Sequence, residues 1–176
     1  MNWMLSHRAD PRALPLADRH YNRQKVGSPQ FVPPGRCAVF LTPKADALWV
    51  TSWPFAEFTK HEWAGAWVCS CFRNESRHLS SELNREAVAA TSWVMGDPPA
   101  VASKVGPVGM VSFIDRTKVR PTKVRGRDVW GYSWFKAGWV EIGETKGGLL
   151  ALGLPLDAIP EPEPYLGHLF SYLYAE

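Results

Sequence analysis

Hydrophobic positions along the chain fall into short runs separated by turn residues, not into long helical stripes. The runs 37–41 (CAVFL) and 48–53 (LWVTSW), joined by the turn-like TPKADA, predict an antiparallel pair of strands. Large and small residues alternate over 67–72 (WVCSCF), which predicts a third strand. Segment 109–115 (GMVSFID) stays apolar until it ends in a carboxylate and reads as another strand. Segments 140–142 and 149–154, split by Lys146-Gly147-Gly148, predict a closing hairpin. Helical spacing is confined to 15–21, with Leu16 and His20 at i, i+4, to 131–139, closed by Gly138, and to a terminal stretch at about 165–174. In that last stretch Tyr165, Leu169, Tyr172 and Leu173 form one apolar face after a PEPEP linker. Segment 82–95 (ELNREAVAATSWVM) stays open: Leu83, Ala87, Thr91 and Val94 suit a helix, while its first half also fits a strand. Segments 22–34 and 96–109 are broken by proline and glycine. This order predicts an α+β fold, a mostly antiparallel sheet flanked by helices, in one domain spanning 1–176.

Composition is consistent with that picture. With 176 residues, 45% of them hydrophobic, the chain can bury a core without staples. No run of about 18 apolar residues offers a membrane span, and the N-terminal MNWMLSHRADPR lacks the apolar centre of a secretory signal. A cytoplasmic protein is expected. Cys37, Cys69 and Cys71 cannot all pair, so reduced thiols are expected, with Cys69 and Cys71 pointing the same way on a strand. Cys69 and Cys71 with His61 or His78 could form a sulfur–nitrogen set. No second cysteine pair at zinc spacing accompanies them, and buried cysteines without a metal are expected.

The net charge is only +3, but it is unevenly placed. Between 104 and 127 the chain carries Lys104, Arg116, Lys118, Arg120, Lys123, Arg125 and Arg127 against a single acid, Asp115. From Glu141 onward Lys146 alone faces six acids. A polyanion partner and a solvated charged loop both account for the basic segment, and Pro121 and Gly126 suggest a loop that orders on contact.

Two groups of motifs carry a family resemblance. The unit GMVSFID, a loop, then GYSWFKAGWVEIG resembles the last third of GNAT-type acyltransferases. His20-Tyr21-Asn22, Glu82-Leu83-Asn84-Arg85 and Ser112-Phe113-Ile114-Asp115 follow the motif order of phage Mom-type DNA-modification proteins, a divergent GNAT-like group. The similarity spans roughly positions 18 to 143, by pattern more than identity, and Asn84 stands where the group has Ser. The resemblance implies a phage-encoded transferase in the host cytoplasm. It would attach a glycine-derived carbamoylmethyl group to the exocyclic amine of adenine and so block restriction enzymes. Its partners would be double-stranded DNA with a flipped base and a small or aminoacyl donor. The Arg-x-x-Gly-x-Gly/Ala loop that holds the coenzyme A pyrophosphate is absent, and its expected neighbourhood is the proline-broken 96–109. That counts against acetyl-CoA. The competing classes are an N-acetyltransferase of a protein or small amine, and a non-catalytic nucleic-acid-binding protein.

The chemistry assigns roles. An adenine amine is a poor nucleophile because its lone pair is delocalised into the ring, so a proton acceptor is needed. Asp115 at the strand end is the candidate; the alternative is that it caps the next turn or pairs with Arg116 or Arg120. His20 and Tyr21 would position the base or move a proton, or simply pack together. Arg85, with Asn84 and Ser112, would hold the donor, Arg85 through its planar fork, unless it pairs with Glu82 or Glu86 on the surface. Of the aromatics on 131–139, Tyr132 is assigned to the site and Trp134 to the core, with the reverse assignment left open. Arg116, Lys118, Arg120, Lys123, Arg125 and Arg127 would grip phosphates. Trp53 or Trp130 would stack on unpaired bases, the other tryptophans being core.

Overall fold

In the computed structural model, which describes residues 1–168, a seven-stranded sheet runs through the molecule. Its strands are β1 (Met4–Ser6), β2 (Arg36–Leu41), β3 (Ala47–Trp53), β4 (Trp67–Asn74), β5 (Val108–Ile114), β8 (Val140–Glu144) and β9 (Leu150–Pro155). They lie in the order β1-β2-β3-β4-β5-β9-β8. Every neighbouring pair is antiparallel except β4 and β5 at the centre. A separate hairpin, β6 (Thr122–Val124) with β7 (Arg127–Val129), rises from the basic segment. The helices are α1 (Leu14–Asp18), α2 (Ser80–Met95) and α3 (Tyr132–Lys136). The fold is thus α+β with a mostly antiparallel sheet.

Two faces of the sheet are covered. On one, α2 lays Leu83, Ala87, Val88, Ala90 and Met95 over Phe40, Trp49, Trp67 and Met110, and the cluster continues to Trp139 and Leu152. These positions recur at helical spacing, so the ambiguous segment resolves as helix over its whole length, including the part that fitted a strand. Gly96 ends α2, with φ +85° and its N–H on the Ser92 carbonyl at 2.9 Å. On the other face, α1 packs Leu16 and Ala17 against Val39, Leu41, Leu48 and Val50, and Trp63 covers Val108, Val111, Ile142 and Ala151. The predicted terminal helix lies beyond residue 168, outside the described residues, apart from its first turn. Before it, the tail runs back over α2 and β1: the Glu163 N–H reaches the Ala89 carbonyl at 3.2 Å and the Leu166 N–H reaches Trp3 at 2.7 Å.

Two features of β4 shape the site. Its ladder with β5 has only two residue pairs, Trp67 with Met110 and Val68 with Val111. On the β3 side, Val50 pairs with Cys71 and Thr51 with Cys69, so the ladder skips Ser70. This bulge overturns the expected common orientation of the two cysteines, because Cys69 packs on the α2 face and Cys71 on the α1 face. Burial holds both thiols in the protonated form, raising Cys71 to about 12 and Cys69 well above its usual value. Among the described residues no three His, Cys, Asp or Glu side chains gather to hold a metal, and no helix is long and apolar enough to cross a membrane.

Candidate active-site cleft

Past their two shared pairs, β4 and β5 form no further ladder, and a cleft of about 720 Å³ opens between residues 69–72 and 112–114. Side chains bridge its floor: the Ser112 hydroxyl donates to the Cys69 carbonyl at 3.2 Å, and the Tyr21 hydroxyl donates to the Phe113 carbonyl at 2.7 Å. The unpaired strand carbonyls thereby find donors, as buried backbone must. Tyr132 forms the far wall from the start of α3. Gly131 makes that placement possible, with φ +78° and neighbours Leu152 and Ile114 already 3.0 and 3.1 Å from where a Cβ would sit.

His20 stacks on Tyr21 with ring centroids 4.6 Å apart, and both follow the end of α1 into the cleft. Burial lowers the pKa of His20 below its ordinary value, and burial pushes Tyr21 up to about 12. His20 is therefore a neutral base and Tyr21 a neutral hydrogen-bond donor near pH 7.

Among the described residues four cations line the cleft, Arg19, Arg73, Lys118 and Arg120, and no carboxylate does. Behind them Glu75 takes Arg19 through two contacts of 2.8 and 2.7 Å, and Arg73 through one of 2.6 Å. Those guanidiniums, Arg19 first, draw its carboxyl down to about 2. Sequence reasoning passed over Arg19 and Arg73. The available signals were the position of Arg19 beside His20-Tyr21 and the change from apolar to polar residues at Arg73 after Phe72.

The remaining predicted residues are placed differently. Asn84 is buried in α2 and accepts from the Trp139 indole at 2.8 Å, while Arg85 lies exposed, reaching only the Ser81 carbonyl of its own helix at 3.4 Å. Neither lines the cleft: helical geometry turns Asn84 into the core and Arg85 to solvent. Asp115 lies just past β5, outside the cleft lining. Its Oδ1 accepts from the Thr117 hydroxyl at 2.6 Å and the Thr117 N–H at 3.0 Å, with the Lys118 ammonium 3.5 Å from Oδ2. These contacts, the Thr117 hydroxyl first, hold its carboxyl below the usual carboxylate range, so it is a weakly basic turn anchor.

The basic segment is regular where a loop ordering on contact was expected. Arg125 and Gly126, at φ +48° and +79°, form the two-residue turn between β6 and β7. Arg116 pairs with Glu144, Lys118 with Asp115 and Lys123 with Asp128. Among the described residues Arg120, Arg125 and Arg127 have no carboxylate partner. Trp53 and Trp130 are tied into the protein, their indoles donating to Gly65 at 2.9 Å and Val119 at 3.0 Å; the exposed tryptophan is Trp93. Trp134 packs on Trp49, Phe72 and Trp139 while also edging the cleft.

Compared with known proteins, the chain matches no family model, no curated protein and no solved structure.

Proposed function

We propose that the protein is a DNA-modifying transferase of the Mom type on a GNAT-like fold. It adds a small glycine-derived, carbamoylmethyl-like group to the N6 amine of adenine. The observation that carries this reading is the cleft itself, where, among the described residues, His20, Tyr21, Ser112 and Tyr132 meet four cations and no carboxylate. Its volume, about 720 Å³, suits a flipped base together with a small donor. The position of α3, between the strand that closes at Asp115 and the next strand of the sheet, agrees with the GNAT-like motif order.

In this reading Arg120, Arg125 and Arg127 hold the DNA backbone, and Arg19 and Arg73 receive an anionic part of the donor. The proton leaving the adenine amine passes to neutral His20, since Asp115 is anchored in its turn. Tyr132 borders the donor. A coenzyme A donor is disfavoured because the chain lacks the Arg-x-x-Gly-x-Gly/Ala loop. The test is restriction protection: plasmid DNA from bacteria making the protein should resist enzymes that cut at adenine-containing sites. DNA from cells making the His20→Gln variant should be cut, and equal cutting of both would remove the proposal.

A further inference from the structure

Asn22 lies between His20 and the bulged strand. Its Nδ2 donates to the Ser70 carbonyl at 2.8 Å, and a carbonyl only accepts. Ser70 is the residue that the β3–β4 ladder skips, which leaves that carbonyl to Asn22. The amide nitrogen is thus committed to the strand, and Oδ1 is the atom in short contact with His20 Nδ1. Turning the amide over would set Oδ1 against the Ser70 oxygen, two acceptors with no proton between them. An acceptor facing Nδ1 requires Nδ1 to carry the proton, and a neutral imidazole then keeps its lone pair on Nε2. The Asn22 backbone N–H also approaches Nδ1, but at 3.4 Å, so the shorter side-chain contact decides. Among the described residues no group hydrogen-bonds to Nε2.

We propose that Asn22 is a positioning residue that holds His20 as the Nδ1–H tautomer, leaving the Nε2 lone pair to accept the substrate's proton. The tautomer stands on the geometry alone, whereas the use of the lone pair rests on the transferase reading. In that reaction the adenine N6 bonds to the electrophilic carbon of an activated glycine-derived donor. The donor's leaving group departs with the bonding electron pair, and the N6 proton moves to Nε2. Burial first, and the nearby Arg73 charge, outweigh the Asn22 contact, which favours the charged ring, so that the ring is held toward the neutral form that this step needs.

Long-range proton–nitrogen NMR on the full-length protein at pH 8 reads the tautomer directly, with the His20 signals assigned by their loss in His20→Gln. The expected spectrum has a pyrrole-type Nδ1 and a pyridine-type Nε2. Asn22→Ala should shift the ring toward Nε2–H. A pyrrole-type Nε2 in the wild-type protein, or an unchanged spectrum in Asn22→Ala, overturns the proposal. An intact Nδ1–H tautomer without DNA modification would count against the transferase reading alone; modification by a protein carrying Nε2–H would count against the role of Asn22 alone.

Discussion

Asn84→Leu separates a core residue from a donor ligand. The Trp139 indole N–H has Asn84 Oδ1 as its acceptor at 2.8 Å, and the two residues are 2% and 1% exposed, so no water replaces a lost partner. A buried donor left without an acceptor costs about 1–3 kcal/mol. Among the described residues Asn84 Nδ2 already lacks a partner, and removing it relieves part of that cost. The net loss is then about 1–2 kcal/mol, which lowers Tm by about 2–8 °C in a chain of this size. Trp139→Phe alone loses packing, including the edge contact with Trp134 at 4.7 Å. In the double variant no orphaned donor remains, so its destabilisation should fall short of the sum of the single effects by about 1 kcal/mol or more. Urea unfolding followed by far-ultraviolet circular dichroism measures all three variants. Strict additivity would refute the buried hydrogen bond, and loss of DNA modification in a well-folded Asn84→Leu protein would refute its exclusion from the site.

Other consequences of the structure are as direct. Glu75 has a folded-state pKa below its unfolded value, so its contribution is complete above the ordinary carboxylate range and disappears as pH falls from about 4.5 through about 2. With 33% of its side chain exposed, that contribution is about 1 kcal/mol after solvent screening. Wild type and Glu75→Gln should therefore differ in urea midpoint at pH 6 and converge near pH 2; a constant difference would contradict the pairing with Arg19 and Arg73. A thiol reagent applied to the native protein should modify Cys37 and spare Cys69 and Cys71 until urea is added, whereas fast reaction of all three would show that β4 is open. Replacing Arg120, Arg125 or Arg127 by alanine should lower the logarithmic salt slope of DNA binding by about 0.9 each, and Lys123→Ala should change it less because Asp128 already holds that ammonium. Fluorescence anisotropy across a salt series decides, and equal effects at all four positions would refute the distinction.

Much of the sheet was legible because its strands alternate or run apolar between strong turn signals. The pairs β2–β3 and β8–β9, the strand β5 and the short α3 all fall within a few residues of where the pattern puts them. β1 was not legible: three residues carry no periodicity, and it exists because Met4–Ser6 can pair with Val39, Phe40 and Leu41. The β6–β7 hairpin was hidden because its residues are exposed and charged, leaving no apolar alternation to read. A one-residue bulge leaves no mark in a run such as WVCSCF, yet it separates Cys69 from Cys71 and leaves the Ser70 carbonyl to Asn22. In the site, His20, Tyr21, Ser112 and Tyr132 were readable as local motifs. The Arg19–Glu75–Arg73 cluster joins residues brought together only by folding. The helix under Asn84 and Arg85 was only partly legible because the polar residues in 82–85 left a strand open, whereas the apolar positions that follow carry one helix through the segment.

The most direct test is mass spectrometry of nucleosides digested from the DNA of a bacterial host making the folded protein, beside hosts making His20→Gln and Asn84→Leu. The account predicts an adducted deoxyadenosine with the wild-type and Asn84→Leu proteins and none with His20→Gln, the mass increment naming the transferred group. Unmodified deoxyadenosine from cells that contain the folded wild-type protein, or an adduct that persists in His20→Gln, would contradict it.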